Sequence, residues 1–329
     1  MTNNEMSMLI TRGLNKLSRV CQKAINQRKA YDYPHVAYGV EAYPLPVLGS
    51  DSTGSMFDPY VMLTDKGQLA MYVSCRNDGS IERWDSIDGL TWTKIGVSLA
   101  GKSDVSSWDS TVNRACVIQE GSRWLMWFTG QCNGTSAIGF AASDDGISFE
   151  RQSDAPVLLP TLAHEGTSLM NPWVSKTNDG RYRMWYAAGE DYEPDVICHA
   201  MSPDGIHWEK AHDYVLSKGN EPCDSYKVGG CSVINLGCDN LAMFYIGYQN
   251  LDVARICMAF SDDDGQTWQR SKANPLVGPE RDAWDAHAVY KPSALLLADG
   301  SVRLWYNARR NNHEYIGTAL IRNIGDLLV

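Results

Sequence analysis

Five copies of one strand motif at nearly constant spacing predict an all-β chain. The expected fold is a five-bladed β-propeller, with an N-terminal strand closing the last blade and one α-helix ahead of it. The motif reads GSIERWDS, SAIGFAAS, DVICHAMS, ARICMAFS and EYIGTALI, and its isoleucines are Ile81, Ile138, Ile197, Ile256 and Ile316. The intervals are 57, 59, 59 and 60 residues, and a fixed period of this size is the mark of a stacked or radial repeat. A second repeated segment lies just upstream: LAMYVSC, WLMWFTG, YRMWYAA, LAMFYIG and VRLWYNA. It is rich in aromatic and large apolar residues, as a strand buried on both faces should be. A third precedes it: FDPYVML, NRACVIQ, MNPWVSK, GGCSVIN and YKPSALL. Asp-Gly pairs such as Asp179-Gly180 and Asp299-Gly300 suit the hairpins between these two strands.

The fourth element follows a compact turn, SIDGLTW, SDDGISF, SPDGIHW or SDDDGQTW, of which there are four copies. The last fits the Asp-box pattern. In such a turn the Asp satisfies main-chain amides, Gly takes the unusual backbone angle and the aromatic packs beneath. These Asp residues are read as structural. Outer strands follow in WTKIGVSLA, FERQSDAPVLLP, WEKAHDYVLSKG and WQRSKANPLVGP, while the fifth repeat ends near RNIGDLLV without one. The missing strand is supplied by VEAYPLPVLGS, Val40–Ser50, which closes the ring and hides sheet edges. The propeller thus occupies residues 36–329, and residues 1–35 form an amphipathic helix and linker.

That helix is expected over about Ser7–Arg28. Leu9, Ile10, Leu14, Leu17, Cys21 and Ile25 recur at three- and four-residue spacing, with the basic residues largely elsewhere. It is expected to pack on the propeller or on a second copy of the chain in a homodimer. Peripheral docking to an anionic membrane surface is the alternative. Residues 1–30 carry six Lys or Arg against Glu5, and the whole chain carries a net charge of −10. The acidic body argues against a nucleic-acid partner. No run of about 18 apolar residues spans a membrane. With no signal peptide and nine cysteines in no paired pattern, free thiols in a cytoplasmic protein are expected.

In a propeller the innermost strands line the axis. Aligning the first strands of the five repeats brings Asp58, Arg114, Asn171, Gly230 and Lys291 to one level. All five are polar or tiny among apolar neighbours, which marks them as pocket lining. A purely structural reading, a ring that hydrates or salt-links a narrow channel, stays open beside it. The loops leading into these strands add Asp51, Trp108-Asp109, His164-Glu165, Asp224 and Trp284-Asp285, with His287 close by. Trp beside carboxylate is a common arrangement for holding sugars, whose C–H faces stack on the ring while their hydroxyls bond the acid. The exits of the second strands add Arg76 and Arg309, among others. The seven histidines form no HxH or HExxH pattern, so no metal site is expected and no cofactor is implied, a divalent ion such as calcium on the axis excepted.

The Phe57-Asp58-Pro59-Tyr60 motif opening the first innermost strand resembles that of five-bladed glycoside hydrolases of the arabinanase, β-xylosidase and invertase type. The resemblance implies Asp58 as base or nucleophile, Asp109 as the residue that tunes acidity and orients substrate, and Glu165 as general acid. Asp109 precedes Arg114 rather than occupying its place, and Asn171 fills the aligned place of Glu165. Two carboxyl groups flanking the bond are what glycoside cleavage requires. The cations Arg76, Arg114, Lys227, Lys291, Arg309 and Arg310 exceed what a plain hydrolase needs, unless they only neutralise Asp58, Asp109 and Asp285 as structural ion pairs. In this the chain is similar to mannoside phosphorylases, which hold phosphate with basic residues. Substrate contacts are therefore expected from Arg76, Trp108, Arg114, Asn171, Lys227, Asp285, His287, Lys291 and Arg309. The expected function is a glycoside hydrolase-like enzyme acting on a sugar, an anionic one included. The alternatives are a phosphorylase, a glycosyltransferase or lyase-type enzyme of polysaccharide metabolism, or a non-catalytic carbohydrate-binding propeller.

Overall fold

The computed structural model describes residue 16, residues 18–49 and residues 54–328. Residues 18–28 are helical; the earlier part of the expected helix and Asp51 lie outside the described residues. Among the described residues no helix is long and apolar enough to cross a membrane. No disulfide joins the described cysteines, of which all but Cys21 and Cys238 are buried.

The strands assemble into four-stranded antiparallel units. Strand β1 (Val40–Ala42) stands apart at the start. The first unit is β2 (Met56–Leu63), β3 (Leu69–Cys75), β4 (Ser80–Ser86) and β5 (Thr93–Leu99). The second is β6 (Thr111–Glu120), β7 (Arg123–Cys132), β8 (Thr135–Ser143) and β9 (Glu150–Arg151), and the third is β10 (Ser168–Lys176), β11 (Tyr182–Glu190), β12 (Glu193–Ser202) and β13 (Glu209–Lys210). A parallel bridge between Ser168 and Ser136 joins these two units into one sheet. The fourth is β14 (Lys227–Gly237), β15 (Asn240–Tyr248), β16 (Ala254–Ser261) and β17 (Gln269–Arg270). The last comprises β18 (Ala288–Leu296), β19 (Val302–Arg310) and β20 (His313–Ile321), and takes its outer strand from β1, with Val40 opposite Ile321 and Ala42 opposite Ala319. The first strand of each unit packs on the first strand of the next, and β18 packs on β2.

The second strands form the core because they are covered on both faces. Every residue of β3 is buried, and Trp127, Trp185 and Trp305 are fully enclosed. The ring donors of Trp127 and Trp305 reach across to the neighbouring unit, while Trp185 Nε1 has no partner among the described residues. Each four-residue turn after a third strand is closed by its aspartate: Oδ1 of Asp88, Asp145, Asp204 and Asp263 accepts two main-chain amides each. The amides of Thr91 and Leu90 hold the Asp88 carboxyl down at about 2. In three of the turns the glycine carbonyl accepts a donor from the preceding unit. Gly89 accepts Trp305 Nε1 at 2.9 Å, Gly146 accepts the Tyr72 hydroxyl at 2.6 Å and Gly205 accepts Trp127 Nε1 at 2.7 Å. Gly265 lies against Trp185, whose ring would meet a Cβ there at 3.2 Å. The last unit has no such turn, and the residue in register on β15 is Phe244, which has no donor to offer.

Carboxylates buried in the loops before the first strands form a second repeated device. Asp109, Glu165, Asp224 and Asp285 are all buried. Three are met by a cation from the outer strand of their own unit: Arg151 reaches Asp109 at 2.5 Å, Lys210 reaches Glu165 at 2.6 Å and Arg270 reaches Asp224 at 2.6 Å. The Tyr186 and Tyr245 hydroxyls donate to Glu165 and Asp224 at 2.7 and 2.8 Å. The pair thus ties the outermost strand to the approach of the innermost one.

Two stability measurements check this account. Tyr72→Phe removes the donor to Gly146 while Arg83 Nη1 still reaches that carbonyl, so urea unfolding should show a loss of about 1 kcal/mol. Lys210→Met leaves the Glu165 charge buried without a cation, and the loss should rise to about 3–5 kcal/mol.

Candidate functional site

The five positions aligned from the repeats share one backbone conformation. Asp58, Arg114, Asn171, Gly230 and Lys291 have φ of 51°, 57°, 53°, 22° and 28°. Each sits at an irregularity in the pairing of its first strand with the second, as between Phe57 and Tyr60 or Tyr290 and Pro292. Such a bulge takes one residue out of the ladder and re-aims its side chain. The amides of three are held by side chains of the preceding unit. Asn307 Oδ1 accepts from Asp58 at 3.4 Å, Ser74 Oγ from Arg114 at 2.9 Å and Thr129 Oγ1 from Asn171 at 3.1 Å. At Gly230 a Cβ would meet Lys291 Cδ at 3.0 Å and Asn171 Cγ at 3.1 Å, so the neighbouring strands approach closely there.

Above this ring lies a cavity of about 180 Å³ lined by Asp58, Arg76, Arg114, Asn171 and Arg309, and also by Glu193 and Glu314. Its carboxylates are paired. Arg114 Nε donates to Asp58 Oδ2 at 2.8 Å, Arg76 Nε to Glu314 Oε2 at 2.6 Å and Lys227 Nζ to Glu193 Oε2 at 2.7 Å. Burial pushes the Glu314 carboxyl up and nearby Asp58 adds to this, against the pull of Arg76. Tyr248 and Tyr290 line the same space, and burial keeps both as phenols. Arg76 stacks over Phe57 at 4.1 Å and Arg309 over Tyr290 at 5.4 Å. Three buried donors in this cavity have no protein partner among the described residues: Arg114 Nη1, Asn171 Nδ2 and Arg309 Nε. Lys291, 1% exposed, donates to the Cys231 carbonyl at 3.0 Å and lies over Trp173 at 5.4 Å; burial lowers its pKa.

The remaining sequence-derived residues lie elsewhere. Asp109 and Glu165 are held in their loops by Arg151 and Lys210, and neither lines the cavity. Trp108 stacks on Phe128 at 5.9 Å and donates to the Asp154 carbonyl at 2.8 Å. His287 Nδ1 accepts the Asn311 amide at 2.8 Å, and its own amide donates to the Arg309 carbonyl. Asp285 has no Arg or Lys partner among the described residues; burial pushes it up to about 6, with His35 pulling the other way. The two cavity acids that the repeats did not single out, Glu193 and Glu314, open the third strands of their units. The available signal was a buried acid two residues before the repeat isoleucine Ile316, where the other copies carry Gly79, Ser136, Asp195 and Ala254.

No protein-family model matches the chain. It is 30% identical over 200 residues to an uncharacterised protein of Mycobacterium tuberculosis, covering 56% of this chain and 62% of that protein. It is 32% identical over 141 residues to the β-1,2-mannobiose phosphorylase of a Thermoanaerobacter species, covering 37% of this chain and 46% of the relative. The chain therefore spans less than two thirds of the length of the curated relatives it matches. Among solved structures, the endo-arabinase from Bacteroides thetaiotaomicron superposes with a TM-score of 0.61 at 14% identity over 84% of this chain and 96% of its own. A thermostable family-43 glycoside hydrolase gives 0.64 at 16% identity over 80% and 88%. The chain is thus similar in sequence to part of a mannobiose phosphorylase and in fold to propeller glycoside hydrolases.

Proposed function

We propose that the five strand units are the blades of a closed five-bladed propeller, and that its axial cavity cleaves a glycosidic bond with inorganic phosphate as acceptor. The observation that carries this is the set of unpartnered donors. Arg114 Nη1, Asn171 Nδ2 and Arg309 Nε are buried and unbonded among the described residues in a cavity whose three described carboxylates already have cations. A ligand that supplies several acceptor oxygens and negative charge fits such a place, and guanidinium groups grip phosphate through paired bonds. The likeness to a mannobiose phosphorylase supports the same reading.

In this scheme the glycosidic C–O bond breaks as a phosphate oxygen attacks the anomeric carbon, and the leaving oxygen takes a proton. Glu314 is the proton donor, since burial raises its carboxyl while Arg76 keeps it oriented. Asp58, fixed by Arg114, hydrogen-bonds a sugar hydroxyl; with water in place of phosphate it would act as base. Asp109 and Glu165 have structural parts.

The test is turnover on a panel of β-mannosides and aryl glycosides, with and without phosphate, following sugar 1-phosphate by phosphorus NMR. Phosphate-dependent formation of the ester is expected. Release of free sugar at the same rate without phosphate would instead make the protein a hydrolase. Asp58→Asn and Glu314→Gln should each lower kcat about 10²–10⁴-fold, and unchanged turnover in either sinks that residue's role. In the wild type, kcat should fall as pH rises through the Glu314 pKa, because the acid form is then lost. That limb should lie above the ordinary glutamate range.

A further inference from the structure

The fifth unit breaks the pattern of buried carboxylates, and the break has a specific shape. In units two to four the loop acid meets Arg151, Lys210 or Arg270 from the outer strand. The outer strand of the last unit is the borrowed β1, whose residues are Val40, Glu41 and Ala42, so no cation is available from it. Asp285 is nevertheless 1% exposed. Its Oδ1 accepts the Glu280 amide at 3.3 Å, and its Oδ2 has no hydrogen-bond partner among the described residues. Tyr306 stands in register with Tyr186 and Tyr245, yet its buried hydroxyl is also unpartnered.

What faces Oδ2 is a histidine from the other end of the chain. His35 Nδ1 lies 3.8 Å from Asp285 Oδ2 and 2.8 Å from the Gly278 carbonyl oxygen. Its segment is fixed by main-chain bonds from Ala37 to Leu276 and from Gly278 to His35. Glu280 adds a second carboxylate, and one ligand atom from each of His35, Glu280 and Asp285 lies within 4.8 Å of the others. Neighbouring ligands in an octahedral shell with bonds of about 2.0–2.1 Å stand about 2.9 Å apart. His35 Nδ1 and Asp285 Oδ2, 3.8 Å apart, need to close by under about 1 Å, and an ion bound at Nδ1 would displace the proton that now bonds the Gly278 carbonyl.

We propose that His35, Glu280 and Asp285 bind one divalent first-row cation, which supplies in the fifth unit the positive charge that Arg151, Lys210 and Arg270 supply in the others. One imidazole nitrogen with two carboxylates suits manganese or zinc better than calcium. Glu280 is exposed, which gives the ion a path in and leaves room for water ligands. The ligands come from positions 35 and 280–285, so no short histidine motif announces the site. The bound ion pins the segment before the closing strand β1 to the loop before β18. It lies outside the cavity described above and is independent of the reaction proposed there.

The test uses the full chain, freed of metal by chelator, titrated with manganese chloride in a calorimeter. Manganese avoids the exposed thiols of Cys21 and Cys238, which would compete for zinc. One binding site per chain is expected, with a pulsed-EPR nitrogen coupling from the imidazole and a rise in Tm on saturation. His35→Gln and Asp285→Asn should each weaken binding on the order of 10–100-fold or more, and His35→Gln should abolish the nitrogen coupling. His35 is partly exposed, so that variant serves if Asp285→Asn fails to fold. No binding at millimolar manganese overturns the proposal, as does binding that survives His35→Gln.

Discussion

At five equivalent points the innermost strand leaves its extended path for one residue of positive φ, and the cavity exists because of those five residues. For Asp58 and Asn171 this conformation is tolerable, since short polar side chains visit it with local hydrogen bonding. For Arg114 and Lys291 it is a cost of about 1–3 kcal/mol each that the surroundings must offset. At Arg114 the offset is visible in the Ser74 hydroxyl that takes its amide. Thr129 and Asn307 do the same for Asn171 and Asp58. The equivalent residues before Gly230 and Lys291 are Ala187 and Ile246, which offer no such group. There φ drops to 22° and 28°, closer to the ordinary region. The three residues held firmly in the left-handed region are the three ring members that line the cavity.

The bulges turn side chains inward only if adjacent units stay in fixed rotation, and the contacts between units supply that constraint. Tyr72, Trp127 and Trp305 each donate to the glycine carbonyl of the following unit's turn. Buried donors and acceptors are costly when unpaired, and in these three cases the aromatic donor and the turn carbonyl occur together. Phe244 accords with this pairing, although Trp185 beside the Gly265 turn keeps its Nε1 unbonded among the described residues. Phe244 occupies the same register position before the one unit that has no turn, and it carries no donor. A polar aromatic there would bury a group with nothing to bond.

Much of this was legible in the sequence, because the repeat makes each strand its own control. The isoleucine spacing located the strands, and alignment of the first strands brought together the five residues of the ring. The closing strand was legible from the missing copy at the end of the chain. The cavity acids were harder to see. Glu193 and Glu314 reach it from the starts of third strands, where the repeat is irregular and alignment has no power. Asp109 and Glu165 stand beside aromatic residues in loops that approach the axis, and a carboxylate there reads alike whether it faces the axis or turns back. The direction is set by Arg151 and Lys210, which lie 42 and 45 residues further on. The basic residue after the turn, in FER, WEK and WQR, repeats as regularly as the acid does. Reading the two columns together is what reveals the pairs.

The fifth unit shows what pairing the two ends of a repeat array demands of a linear chain. Four units are continuous in sequence, so each carries its own outer strand, turn and cation. The last is assembled from both ends of the propeller segment, β18 to β20 from one and β1 from the other. This joins the termini through a main-chain ladder, but the borrowed strand brings neither the turn nor the cation. The chain has adapted to the first loss, by Phe244. At the second, Asp285 keeps its buried carboxylate, and His35 arrives on the same N-terminal segment as the closing strand. A carboxylate retained in a dry place without its usual partner is costly unless something compensates the charge. Asp285, Tyr306, Glu280 and His35 are therefore best understood together, as the part of the ring where closure and charge balance are the same problem.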